Sequence, residues 1–284
     1  MWYTHETLNR VLKFSFEIVA ESPLRIGAGK NVAKMSVVDL PVLLIKKDGE
    51  DVPYIPGSTI KGVFRSASES IARSSGVKTC MMGEECKNSY DNELQRAMRA
   101  GEMDKVREIL SRYCLCCKIF GSATFRSHVN FSDAYPEGTP SRSVKTGIAI
   151  DRKSGAVRER ALYFVEFLDP GAVFHNDITF TNVPNYGIGL IAEVINLVNK
   201  GLIRVGGFKT RGFGRISMKP LGLEGFLIHN GEMINITRES KEIKIPKADE
   251  HDEEVQADLS DLNSLLDKFR GVWRSYAERH RGKS

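Results

Sequence analysis

The sequence predicts an α+β fold, a ferredoxin-like (RRM-like) sandwich with helices on one face of an antiparallel sheet. Three observations predict it. Residues 11–20 partly alternate, so that Leu12, Phe14, Phe16 and Ile18 share one face of a strand. Two apolar stripes recur at helical spacing, one through Ile60, Val63, Phe64, Ala67 and Ile71, the other through Leu190, Ile191, Val194, Ile195 and Val198. Strand-like segments follow the first stripe and flank the second. Strand, helix, strands, helix, strand is the order of such a sandwich, and sheets of this kind commonly present RNA-binding surfaces.

The elements follow in order. After the first strand comes a loop with Gly27 and Gly29, then a β-like stretch over residues 35–45. Tyr54-Ile55-Pro56-Gly57-Ser58-Thr59 is a turn with helix N-cap chemistry at its end, so a helix is expected over residues 58–73. Residues 75–121 form a cysteine-bearing insertion with a charged helical stretch at 92–112. Strands return at 129–133, 162–168 and 174–182, and a helix runs over 189–200. Residues 203–205, a glycine-rich loop and residues 213–218 follow. The core is therefore expected over residues 1–74 and 122–237. Residues 238–258 are polar and acidic, as in a flexible linker. Residues 259–284 close the chain with an amphipathic helix, whose apolar positions run from Leu262 to Tyr276.

Charge is uneven. The chain carries 41 basic and 36 acidic residues, and residues 247–284 hold 7 and 9 of these, which leaves a net +7 on residues 1–246. A basic body most often binds phosphates; a solvated charged surface has the same composition. The absence of a run of about 18 apolar residues argues against a membrane span. MWYTHETLNR lacks the apolar centre of a signal peptide, so a cytoplasmic location is expected.

Within Gly206-Gly207-Phe208-Lys209-Thr210-Arg211-Gly212-Phe213-Gly214-Arg215, glycines alternate with cations and aromatics. Glycine lets the backbone approach a ligand closely. Lysine and arginine neutralise phosphates, and phenylalanine offers a base its flat face. The spacing excludes a Walker A loop. The segment reads either as a loop embracing a phosphate chain or as a turn between strands with solvated cations.

Five cysteines lie within residues 80–117. An odd count argues against a disulfide framework. Cys114-x-x-Cys117 is a metal-knuckle spacing, with Cys80 and Cys86 as a looser second half. Four thiolates suit a tetrahedral structural Zn²⁺. No H-x-E lies nearby to supply a general base. Cys116 is left over by spacing but could exchange with Cys117, and His128 is a further candidate ligand.

Several motifs fall in one order: Leu24-Arg25-Ile26-Gly27-Ala28-Gly29, Val38-Asp39-Leu40-Pro41-Val42, Ile55-Pro56-Gly57-Ser58 with Lys61 and Arg65, Cys114 to Gly121, Ile150-Asp151-Arg152-Lys153-Ser154-Gly155, and the glycine loop. This series resembles the RAMP superfamily of CRISPR systems, and more narrowly the repeated backbone subunit of type III (Csm/Cmr-like) effector complexes. The likeness covers roughly residues 11–220. It implies a subunit that polymerises along a guide RNA, binds further copies of itself and other complex subunits, and cleaves the complementary target RNA. A non-catalytic subunit of the same complex is the alternative. A guide-processing ribonuclease of the superfamily is another, although such enzymes usually place a histidine near the first helix, and none lies between His5 and His128.

The resemblance assigns catalysis to Asp39, which could orient a ribose 2′-OH, take its proton, or hold a divalent ion near the scissile phosphate. A loop aspartate accepting backbone N–H bonds is the plain alternative. The implied RNA contacts are Arg25, Lys30, Gly57, Ser58, Lys61, Arg65, Arg152, Lys153, Gly207, Lys209, Arg211 and Arg215. Gly57 and Ser58 would offer helix N-terminal donors to a phosphate, with Lys61 and Arg65 on one face beyond them. The region near residues 144–172 would form a β-hairpin thumb over the guide, with Arg152 and Lys153 at its tip. The metal ligands would be Cys80, Cys86, Cys114 and Cys117.

Overall fold

A computed structural model describes residues 1–28, 38–81, 84–157, 161–237 and 239–282. Strand β1 (Arg10–Ala20) is central, and its burial alternates residue by residue. Leu12, Phe14, Phe16 and Ile18 are at most 1% exposed. β1 pairs antiparallel with β8 (Val173–Thr181) on one side and with β9 (Ile216–His229) on the other. β4 (Val129–Phe131) extends the sheet beyond β8, where β5 (Tyr135–Pro136) also pairs, and β10 (Glu232–Ile236) extends it beyond β9. The order is β10-β9-β1-β8-β4, and every pairing within it is antiparallel. Outside this sheet β2 (Leu44–Lys47) pairs with β3 (Glu50–Pro53), and β6 (Arg142–Gly147) pairs with β7 (Tyr163–Leu168).

Helix α1 (Gly57–Ser74) buries Ile60, Phe64 and Ala72 against the core. Gly57 is needed at its start, because a Cβ there would lie 2.2 Å from the Phe131 carbonyl oxygen. The charged stretch expected as one helix is two, α2 (Glu84–Ala100) and α3 (Met103–Ser111). Gly101 breaks it at φ +71°. With the short α4 (Leu115–Phe120), these helices enclose a second small core of Leu94, Ala97, Val106, Ile109, Leu110 and Tyr113.

Helix α5 (Asn185–Asn199) begins four residues before the expected 189. Its cap comes from far along the chain. The Asp252 carboxylate accepts the N–H groups of Asn185 and Tyr186 at 2.9 and 3.2 Å. Asp252 is buried beside Arg10, whose guanidinium also donates to Asn185 and to the carbonyls of Val183 and Pro246. Residues 238–258 therefore depart from the linker expectation. They carry β11 (Glu242–Ile245) and β12 (Val255–Asp258), paired as a hairpin, with Ile245 at 0% and Val255 at 3% exposure. The acidic residues between the strands hid two short period-two patterns. Helix α6 (Leu262–His280) then packs on α5, with Tyr276 stacked on Tyr186 at 4.0 Å and Phe269 edge-on to Phe14.

His128 sits at the edge of this core, hydrogen-bonded to the Thr181 carbonyl and stacked 3.7 Å from His5. Burial, with the His5 ring adding to it, lowers the His128 pKa to about 4. An unfolded histidine titrates near 6.5. The folded state thus resists protonation, so this contribution is intact above about pH 6.5 and is lost as pH falls toward 4. Stability in urea should fall by roughly 3 kcal/mol more for the wild type than for His128→Gln across that window. Equal pH dependence in the two proteins would rule the effect out.

Candidate nucleic-acid interface and cysteine cluster

The chain leaves β1 at Ala20, opposite Ile216, the first residue of β9. This places the loop entering β9 beside the segment leaving β1. Gly207 donates its N–H to the Arg25 carbonyl at 2.9 Å, and Gly214 donates to that of Pro23 at 2.9 Å. Gly206 has φ +84°, and a Cβ there would lie 2.3 Å from the Arg25 carbonyl oxygen. Lys209–Arg211 form a 3-10 turn with both cations exposed. Phe208, just before it, takes a left-handed conformation at φ 57°, a strain of about 1–2 kcal/mol for a residue with a Cβ. The Arg25 and Arg211 guanidinium carbons lie 5.7 and 5.3 Å from its ring centre.

The Asp39 loop reaches the same place. Arg25 donates to the carbonyls of Leu40 and Pro41 at 3.2 and 3.4 Å. Leu40 forms a parallel bridge to Val165 in β7, and the Glu166 carboxylate accepts the Val42 N–H at 2.9 Å. Asp39 is exposed, and its Oδ2 accepts the Phe164 N–H at 2.7 Å. Arg211 donates to the Tyr163 hydroxyl at 2.9 Å, and the Phe213 ring meets Phe167 edge-on. Between hairpin and glycine loop lies a cavity of about 360 Å³, lined among others by Lys145, Tyr163, Phe208, Arg211 and Phe213. The arrangement offers cations, flat rings and the exposed Asp39 carboxylate along a single seam, where Glu166 is occupied by the Val42 N–H.

The other expected contacts are distributed differently. The Gly57 N–H, expected to meet a phosphate, is taken by the Asp133 carboxylate at 2.7 Å. Ser58 is exposed, and Lys61 is half-buried, its pKa lowered by burial and by Arg65. Arg65 turns inward instead of facing solvent. It donates to Glu69, to the Gly121 carbonyl and to the Cys117 sulfur. Arg152 and Lys153 are exposed in a turn where the Asp151 carboxylate accepts the Lys153 and Ser154 N–H groups at 2.9 Å. Arg215 pairs with Glu21 at 2.8 Å. Lys30 and most of the β-like stretch expected over residues 35–45 lie outside the described residues or outside strands. The open face of the main sheet is not a cationic surface: Glu17, Asp177 and Glu224 share it with Lys13 and Lys219.

The cysteines separate by direction. Cys80, Cys86, Cys114 and Cys117 bring their sulfurs within 4.8 Å of one another. α4 explains the spacing: Cys114 caps it and Cys117 lies one turn on, while Cys116 points into the main core at 0% exposure. Cys116 therefore stays apart from the cluster, and so does His128. Hydrogen bonds from Cys117, Cys80 and Cys86 hold the Cys114 thiol low, as expected where thiols crowd one pocket. The Thr79 hydroxyl lies 3.6 Å from the Cys114 sulfur. Four sulfurs at this separation match a tetrahedral metal site by number and by donor type.

Sequence reading missed Tyr163, Lys145 and Glu166. They sit in strands whose local pattern says only that they alternate. The partners of Tyr163 and Glu166 lie 48 and 124 positions away and meet them through the fold, and Lys145 joins them only as lining of the cavity.

No curated protein matches the sequence. Among the described residues, no helix is long and apolar enough to cross a membrane. The family model described as the RAMP superfamily matches residues 17–217, from within β1 into β9, and so takes in every segment of the cation-lined seam and all four clustered cysteines. Family membership points to a CRISPR-associated, RNA-binding role, in keeping with the cations and rings that converge around Phe208. The chain belongs to the RAMP superfamily.

Proposed function

We propose that the protein is the repeated backbone subunit of a type III CRISPR ribonucleoprotein, binding guide RNA along the seam between the glycine loop and the β6–β7 hairpin. The observation that carries this reading is the convergence of Arg25, Phe208, Lys209, Arg211 and Asp39 from separate motifs. Exposed Lys209 and Arg211 meet phosphates, and the flat rings meet bases. The element order β1-α1-β4-β8-α5-β9, with spatial order β9-β1-β8-β4, supports a ferredoxin-like core. The β6–β7 hairpin serves as the thumb, with Arg152 and Lys153 reaching phosphates at its tip. The subunit lies along guide RNA paired with target RNA, between copies of itself and other subunits of the complex.

Cleavage of the target falls to Asp39. One carboxylate oxygen is held by the Phe164 N–H, which orients the other. That oxygen accepts the proton of a ribose 2′-OH as it attacks the adjacent phosphate. The 5′-oxygen leaves and takes a proton from solvent water, giving a 2′,3′-cyclic phosphate and a 5′-hydroxyl. The same Asp39–Phe164 bond favours the second reading, an RNA-binding subunit in which Asp39 only pins its loop to β7. Cys80, Cys86, Cys114 and Cys117 hold a structural Zn²⁺ that ties the insertion to the core.

Three outcomes test these roles. Replacing Lys209 and Arg211 together with alanine should weaken RNA binding on the order of tenfold for every sequence and reduce the salt slope by about 1.4. An unchanged slope would remove the loop from the phosphate track. Asp39→Asn keeps an acceptor for Phe164 and removes the base. In the assembled complex it should slow target cleavage at least about 100-fold, with guide binding and complex size unchanged. Cutting at the wild-type rate would favour the non-catalytic reading. Purified protein should hold about one zinc per chain, and Cys117→Ser should release it and lower the unfolding temperature. Freshly purified protein without zinc would overturn the metal assignment.

A further inference from the structure

Arg65 belongs to the conspicuous Ile55-to-Arg65 motif, yet its three donor positions all face protein. Nε meets Glu69 at 3.0 Å, Nη1 meets the Gly121 carbonyl at 3.0 Å, and Nη2 meets the Cys117 sulfur at 3.4 Å. Glu69 is buried, and the Arg65 side chain is 24% exposed. Gly121 is the C-cap of α4, and Cys117 lies one turn into that helix. One guanidinium thus bonds a sulfur of the cluster and the end of the helix that carries two of its four cysteines.

The charge of the site explains why a cation belongs there. Four thiolates around a divalent ion leave two negative charges in a mostly buried place. Such charge is costly unless donors and cations meet it. Neutral donors to the cluster sulfurs include the Thr79 hydroxyl and the backbone N–H groups of Cys114 and Cys117. Among the described residues, Arg65 is the cation hydrogen-bonded to a cluster sulfur. A hydrogen bond to a ligand sulfur tunes metal affinity strongly when the donor is held rigidly. The guanidinium fork, with Glu69 and Gly121 fixing its other two arms, holds this donor in one orientation.

We propose that Arg65 is a positioning residue of the metal centre, neutralising thiolate charge at Cys117 and clamping α4, and that it is not a phosphate contact. The inference rests on the zinc reading above. It gives α1 a second role, since the helix that carries Lys61 also anchors the insertion to the core through the cluster.

The test compares full-length wild-type protein with Arg65→Gln, reading zinc release to a chromogenic chelator and the salt dependence of RNA binding. Arg65→Gln should release zinc about 10–100-fold faster and leave the RNA salt slope unchanged. Because this variant leaves Glu69 buried without its partner, a second variant, Arg65→Met with Glu69→Gln, removes both charges together. It should show the same accelerated release. Release within twofold of wild type in the double variant overturns the proposal. So does a salt slope that falls by about 0.7 with release unchanged, which makes Arg65 a phosphate contact. Wild-type protein that carries no zinc fails the underlying metal reading, an outcome separate from equal release by loaded proteins.

Discussion

The pairing of β1 with β9 is the constraint on which the site depends. It runs the length of β1, from Arg10 opposite Leu227 to Ala20 opposite Ile216. Because the strands are antiparallel, the end of one lies beside the start of the other. The segment leaving β1 and the loop entering β9 are about 180 residues apart in sequence, yet they share the hydrogen bonds Gly207–Arg25 and Gly214–Pro23. The buried face of β1 holds that register in place, since a slip of one residue would turn Phe14 and Phe16 toward water. The left-handed Phe208, with the Arg25 and Arg211 guanidiniums near its ring, is built on this adjacency.

The seam also explains why the sheet face is spared. RNA-binding sheets of this type use their open face, but here that face carries Glu17, Asp177 and Glu224, two of them tied to Lys13 and Ser15. Carboxylates repel phosphate, so the cationic surface lies at the sheet's end, in loops. Loops tolerate the glycines and strained φ values that close approach to a backbone requires. The catalytic candidate, Asp39, is brought to that end by the Leu40–Val165 bridge and by Arg25.

The cysteine cluster answers a different problem. Residues 75–121 carry a core of a few apolar side chains, too small to be stable alone. α4 joins it to the main core by placing Cys117 on one side and Cys116, Ile119 and Phe120 on the other. A metal held by these four sulfurs would be a strong cross-link for so small a unit, and Arg65 reaches the cluster from α1 through its hydrogen bond to the Cys117 sulfur. Beyond residue 217, where the family match ends, β11, β12 and α6 complete the main core, and Asp252 supplies the cap that α5 lacks locally.

The sequence by itself determined the elements whose signals are periodic and local. These are β1 from its alternation, α1, α5 and α6 from their stripes, and the Cys114–Cys117 pair from its metal-knuckle spacing. It also marked the glycine loop as a place where the backbone can approach a ligand closely, while leaving a turn with solvated cations as the other reading. The tertiary structure decided what depends on distant partners. Whether Arg65 faces solvent or sulfur depends on where α4 lies. Whether residues 238–258 are a linker or a hairpin depends on a core available to bury Ile245 and Val255. Whether the Gly57 N–H is open to a phosphate depends on Asp133, 76 residues away. Burial and hydrogen-bond satisfaction are properties of assembled surfaces, so a residue's chemistry is local but its availability is not.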